Sequence, residues 1–99
     1  MKIIALEKET GKTAGGDKQK LLREEARRVW ELQQAGMLRE IYFRADRPEA
    51  VLVLECDSTA EAEAALSTLP LVGEGLIQFE LIPLAPYPGY QRLFSEKEK

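Results

Sequence analysis

The sequence predicts an α+β domain of βαββαβ order: a ferredoxin-like, four-stranded antiparallel sheet with both helices on one face. Three observations carry this. Residues 38–44 and 51–56 alternate in step across a turn at residues 46–49. Two stretches of helical periodicity each follow a residue suited to cap a helix. A last strand, residues 76–82, has one apolar face and one mixed face.

The first strand spans residues 2–8, where Ile3, Ile4, Ala5 and Leu6 form a short apolar run. Residues 9–16 read as a mobile loop. They contain Gly11-Lys12-Thr13, the end of a phosphate-binding motif, but that motif needs a glycine where Leu6 stands. Asp17 caps the next helix. Leu22, Ala26, Val29 and Gln33 share one face, widened by Trp30 and Leu32. Arg23, Glu24, Arg27, Arg28 and Glu31 form the solvated side, with i,i+4 pairs of opposite charge. Gln33 is read as an amide bonding backbone near the helix end rather than a group reaching a pocket. Gly36 ends the helix in a left-handed conformation.

The hairpin register follows from facing. With Ala45 opposite Ala50, Phe43 meets Leu52 and Ile41 meets Leu54 on an apolar face. Arg44 then meets Val51, Tyr42 meets Val53 and Glu40 meets Glu55 on the other. Ser58-Thr59-Ala60-Glu61 is a capping box for the second helix, whose apolar side is Ala62, Ala65, Leu66 and Leu69. Pro70 stops it, and residues 72–75 turn the chain. Ile77, Phe79 and Leu81 face the helices; Leu76, Gln78, Glu80 and Ile82 face away. From Pro83 three prolines keep the tail extended, with Tyr87, Tyr90, Leu93 and Phe94 needing a surface to pack on. The domain is expected to span residues 1–94, with residues 95–99 disordered.

Composition narrows the function. Ninety-nine residues suit one domain with one core. A net charge of −3 with mixed signs argues against nucleic acid as a partner. No apolar run approaches the roughly 20 residues of a membrane span. The early charges of the N-terminus do not suit a signal peptide, so a cytoplasmic protein is expected. The chain has no histidine and one cysteine, Cys56. That excludes Ser-His-Asp and Cys-His catalysis and makes a metal site a poor expectation. Cys56 reads as a small buried side chain.

The mixed sheet face, rich in Val51, Val53, Leu76 and Ile82, is an exposure that a homodimer would cover. It is also where the facing pattern places candidate chemistry. Glu40 and Glu55, if opposite, cannot both ionise cheaply, so one becomes a general acid/base near neutral pH. Tyr42 is the third catalytic candidate, donating to an enolate. Arg44 is the candidate for holding a substrate carboxylate. Gln78 and Glu80 complete the substrate-binding set, Glu80 doubling as a second possible base.

Glu25-Ala26 through Trp30, Gly36, the hairpin, and above all Thr68-Leu69-Pro70-Leu71 before a polar-apolar strand resemble muconolactone isomerase-like proteins over residues 19–90. The resemblance implies the dimeric α+β barrel superfamily, dimers or larger rings, and a cofactor-free proton shift on a lactone. The histidine-dependent chemistry of the neighbouring YciI-like branch is not implied, because this chain has no histidine. The expected function is a cofactor-free isomerase or cyclase acting on a small oxygenated organic acid or lactone. The alternatives are a cofactor-free monooxygenase and a non-catalytic homodimer that binds a small ligand or serves as a subunit.

Overall fold

A computed structural model describes residues 1–94. Four strands and three helices alternate as β1 (Lys2–Glu9), α1 (Lys18–Gln34), β2 (Leu38–Phe43), β3 (Ala50–Glu55), α2 (Thr59–Leu66), a short α3 (Pro70–Gly73) and β4 (Ile77–Pro83). The sheet order is β2-β3-β1-β4, and every neighbouring pair is antiparallel. This is the expected ferredoxin-like topology. The core lies between the sheet's inner face and the helices: Ile3, Ala5, Leu52, Leu54 and Leu38 below, Leu32, Ala62 and Leu66 above. The expected disorder of residues 95–99 falls outside the described residues.

Caps set the helix starts. The Asp17 carboxylate accepts from Lys20 N at 3.1 Å, and Gly36 follows α1 at φ +85°. Ser58 Oγ accepts from Glu61 N at 3.1 Å, half of the expected capping box. Ser58→Ala should cost about 1 kcal/mol of stability, read by denaturant titration. The α2 helix ends at Leu66, earlier than expected. Pro70 does not merely stop it: it occupies the first turn of α3, where a missing N–H costs nothing. Residues 72–75 are therefore partly helical, and Gly75 makes the turn at φ +73°.

The hairpin corrects the expected register. Phe43 pairs with Ala50, Tyr42 with Val51, Ile41 with Leu52 and Glu40 with Val53. The pairing has slipped by two residues, so every side chain keeps its face while its partner changes. Turn chemistry is the cause. Arg44 falls beyond β2, and its guanidinium grips Asp46 through Nε–Oδ1 at 2.9 Å and Nη2–Oδ2 at 2.6 Å. Arg44 N donates to Glu49 O at 2.9 Å, closing a wider loop. A bulge between Leu38 and Glu40 then turns Leu38 inward, opposite Leu54.

The outer face carries half-buried Ile4, Leu6, Val51, Val53 and Ile82. Beyond Pro83 a short 3-10 turn spans Gly89–Leu93. Tyr87 meets Tyr90 edge-on at 5.1 Å, while Tyr87, Tyr90, Leu93 and Phe94 stay exposed. Cys56 is buried, and burial pushes its thiol pKa up, in keeping with a structural side chain. Among the described residues no helix is long and apolar enough to cross a membrane.

Candidate active site

The inner face is not fully covered. At the end of the sheet where β1 finishes and β3 and β4 begin, α1 stands off and leaves a cavity of about 380 Å³. That size suits a small ring compound. Leu22, Glu25, Ala26, Val29, Trp30 and Gln33 roof it, one stripe of α1. Ile41, Phe43, Leu52 and Phe79 floor it, with Glu7 at its edge; Leu69 and Leu71 close one side. The mouth is apolar and open: Trp30 is 59% exposed and Phe43 72%.

Two carboxylates interrupt this apolar lining. Glu25 Oε1 accepts from Leu71 N at 2.9 Å, and Glu7 Oε1 accepts from Ala50 N at 3.1 Å. One oxygen of each is anchored to backbone; the other has no hydrogen-bond partner among the described residues. No lysine or arginine lines the cavity. Burial raises the Glu25 pKa, the Leu71 amide opposes it, and the charge of Glu7 adds to the rise. Burial likewise raises Glu7, opposed by the Ala50 amide and reinforced by Glu49 and Glu9. Each carboxyl therefore holds its proton to a higher pH than an ordinary glutamate and can exchange it with a ligand.

The raised Glu25 pKa has a sign for stability. The folded state binds its proton more tightly than the unfolded chain, so stability falls as pH rises from the ordinary value of 4.5 through the raised one. Glu25→Gln, which keeps an acceptor for Leu71 N, should melt above the wild type at pH 7. That gap should close below about pH 4.5 in thermal melts across pH.

The residues expected from facing lie elsewhere. Tyr42 Oη donates to Glu40 Oε1 at 2.7 Å on the outer face, and this bond raises the phenol pKa. Glu40 does not meet Glu55: the slipped register sets it opposite Val53. Glu55 Oε2 bonds the Met1 amino group at 2.6 Å, which lowers its pKa rather than raising it. Arg44 is engaged by Asp46 in the turn. Glu80 Oε1 is 3.9 Å from Lys8 Nζ, and Gln78 borders a separate hollow of about 240 Å³ beside Leu66 and Phe79. None of these six lines the 380 Å³ cavity. Gln33, read as bonding backbone, is at the cavity wall instead.

The facing pattern missed Glu7 and Glu25, although both left a signal. Glu7 continues the inward phase of Ile3 and Ala5 along β1. Glu25 lies three residues after Leu22 and four before Val29, inside the apolar stripe of α1. The core face, not the mixed face, holds the carboxylates that burial raises.

A ferredoxin-like α+β fold with an apolar, doubly acidic cavity under its first helix defines the class of protein. The sequence profile of the muconolactone delta-isomerase family matches residues 8–89, and the chain belongs to that family. A crystal structure of muconolactone isomerase superposes with a TM-score of 0.73 at 20% identity, over 89% of this chain and 92% of that one. A second similar structure is 5-chloro-2-hydroxyhydroquinone dehydrochlorinase from Burkholderia phenoliruptrix AC1100, in complex with 2,5-dihydroxybenzoquinone. Its TM-score is 0.59 at 14% identity, over 90% of this chain and 98% of that one. At these identities both show the fold alone. Among curated proteins no match is found.

Proposed function

We propose that this chain is a cofactor-free isomerase that moves a proton on a small oxygenated ring compound such as an unsaturated lactone, using the cavity beneath α1. The observation that carries the proposal is the placement of two backbone-anchored carboxyl groups in one apolar cavity. Two carboxyl groups in one apolar cavity can divide the work, one taking up a proton and the other donating a hydrogen bond. Ionised Glu25 takes the proton from the carbon next to the lactone carbonyl, and the electrons of that C–H bond pass into a dienolate. Glu7, when it carries a proton, donates a hydrogen bond to the developing oxyanion. Glu25 returns its proton to the far allylic carbon, so the double bond shifts and no atom is gained or lost. Apolar side chains of the roof and floor surround the dienolate. Family membership supports this reaction class, and so do the two similar structures, an isomerase and a dehydrochlorinase named for small oxygenated rings.

The test is incubation with unsaturated butenolides in D2O, followed by proton NMR. Ring deuteration well above the buffer rate is expected; none would discard the isomerase reading. A second reading keeps the outer face as the site and rests on the short Tyr42–Glu40 hydrogen bond. It predicts that Glu40→Gln or Glu55→Gln, rather than Glu25→Gln, stops the exchange.

Self-association is proposed through the outer face and the tail, whose aromatic residues are exposed in the single chain. A mass of one chain by light scattering at micromolar concentration would rule it out.

A further inference from the structure

The connector between α2 and β4 does more than reverse the chain. Leu69 is 1% exposed and extended, with ψ 129°, and Pro70 then opens α3. Backbone bonds fix this bend: Gly73 N donates to Leu69 O, Glu74 N to Pro70 O and Leu76 N to Leu71 O, each at 2.9 Å. Two side chains of α1, one turn apart, grip its two ends. Arg28 Nε donates to Thr68 Oγ1 at 2.7 Å, while the Thr68 hydroxyl donates to Ala65 O near the close of α2. Glu25 Oε1 accepts from Leu71 N at 2.9 Å, at the cavity wall. Proline has no N–H, so residues 70 and 71 together offer Glu25 one amide donor and not two.

We infer that the Thr68-Leu69-Pro70-Leu71 turn is the positioning element of Glu25: the Leu71 amide holds one carboxylate oxygen, the other is left to face the ligand, and Pro70 keeps it so by withholding a second donor. This inference rests on Glu25 being the group that moves the proton. A glutamate side chain left free spreads its carboxylate over many placements. One hydrogen bond to a rigid backbone amide narrows these to orientations close to reaction, and misplacement by about 1 Å can cost about 10²-fold in rate. The same bond favours the ionised form, so it acts against burial, which raises the Glu25 pKa. Glu7 on β1, the other ionisable group lining the cavity, adds to that rise. A second amide donor would occupy the reacting oxygen and weaken the base. Thr68 and Arg28 act one step further out, by holding the turn against α1.

The experiment replaces the Leu71 amide by an ester in the full chain, using the α-hydroxy acid counterpart of leucine, so that one N–H becomes an oxygen and nothing else changes. Glu25 is followed by carbon-13 NMR titration, and turnover of an unsaturated butenolide is followed across pH. Glu25 should titrate at a higher pH than in the wild type, and the acidic limb of the kcat profile should move up with it. Above that limb kcat should fall about tenfold or more, with KM within about twofold. In the Glu25→Gln background the same ester should cost no further activity, because the two changes act through one group. Pro70→Ala adds a donor instead: Glu25 should titrate lower, and kcat should fall. That variant carries the test by itself if the ester chain does not melt cooperatively. An unmoved Glu25 titration in the folded variants, full kcat in both, or a loss that the ester repeats in the Glu25→Gln background would each overturn the inference. Turnover by the wild type is read separately. If the wild type turns over no butenolide while the ester and Pro70→Ala move the Glu25 titration in opposite directions, the isomerase reading falls and the hold of the turn on Glu25 stands. A working wild type with an unmoved titration in the variants does the reverse.

Discussion

Glu25→Gln should lower kcat for lactone isomerisation by about 10²-fold or more, with little change in KM. The substitution keeps the shape of the side chain and an oxygen to accept from Leu71 N. What it removes is a group that can take up and release a proton. Substrate binding depends on the apolar roof and floor, which the substitution leaves in place, so the loss should fall on the chemical step. Glu7→Gln should cost less, because a glutamine amide still donates to the carbonyl oxygen. Conversion followed by ultraviolet absorbance of the conjugated product separates the two parameters. A variant that loses activity while melting above the wild type at neutral pH would also show that activity is held at a cost in stability, as expected for a desolvated carboxylate.

Leu54→Ala should destabilise the domain by about 2–5 kcal/mol. Leu54 is 1% exposed and lies at the centre of the inner face, opposite Ile3 on β1 and Leu38 on β2. Backbone pairing on both sides of β3 limits collapse into the space left behind. Domains of this size have total stabilities of about 5–15 kcal/mol, so the loss is a large share of the whole. Leu22→Ala at the cavity mouth is the control: Leu22 is exposed, and truncation there should cost well under about 1 kcal/mol. Urea titrations of both variants would show the contrast. Equal losses would mean that the cavity mouth is packed as tightly as the core.

These two regions also show what the sequence made legible. Element order, the facing of each strand and the caps at Asp17 and Ser58 follow from local spacing. Topology then follows, because the faces leave one economical arrangement. The hairpin register did not follow, since facing repeats every two residues and cannot tell a two-residue slip from none. The grip of Arg44 on Asp46 made that choice, and turn chemistry at this scale is not carried by alternation. The cavity carboxylates escaped the facing pattern for a related reason. The mixed outer face drew the search for ionisable groups, whereas the desolvated carboxylates are those that break the core phase, Glu7 and Glu25. The Leu69-Pro70-Leu71 run that carries the resemblance lies at the cavity: Leu69 and Leu71 wall it, and the Leu71 amide anchors Glu25.

The most direct test is a carbon-13 NMR titration of the glutamate side-chain carboxyls, with and without an unsaturated butenolide. If the cavity is the site, Glu25 and Glu7 titrate above the ordinary carboxylate value and Glu55 below it. Addition of the butenolide should then move the titrations of Glu25 and Glu7 and leave that of Glu55 where it was. Ordinary titration of Glu25 and Glu7 with no response to the butenolide, or a response confined to Glu40 and Glu55, would contradict proton transfer in this cavity.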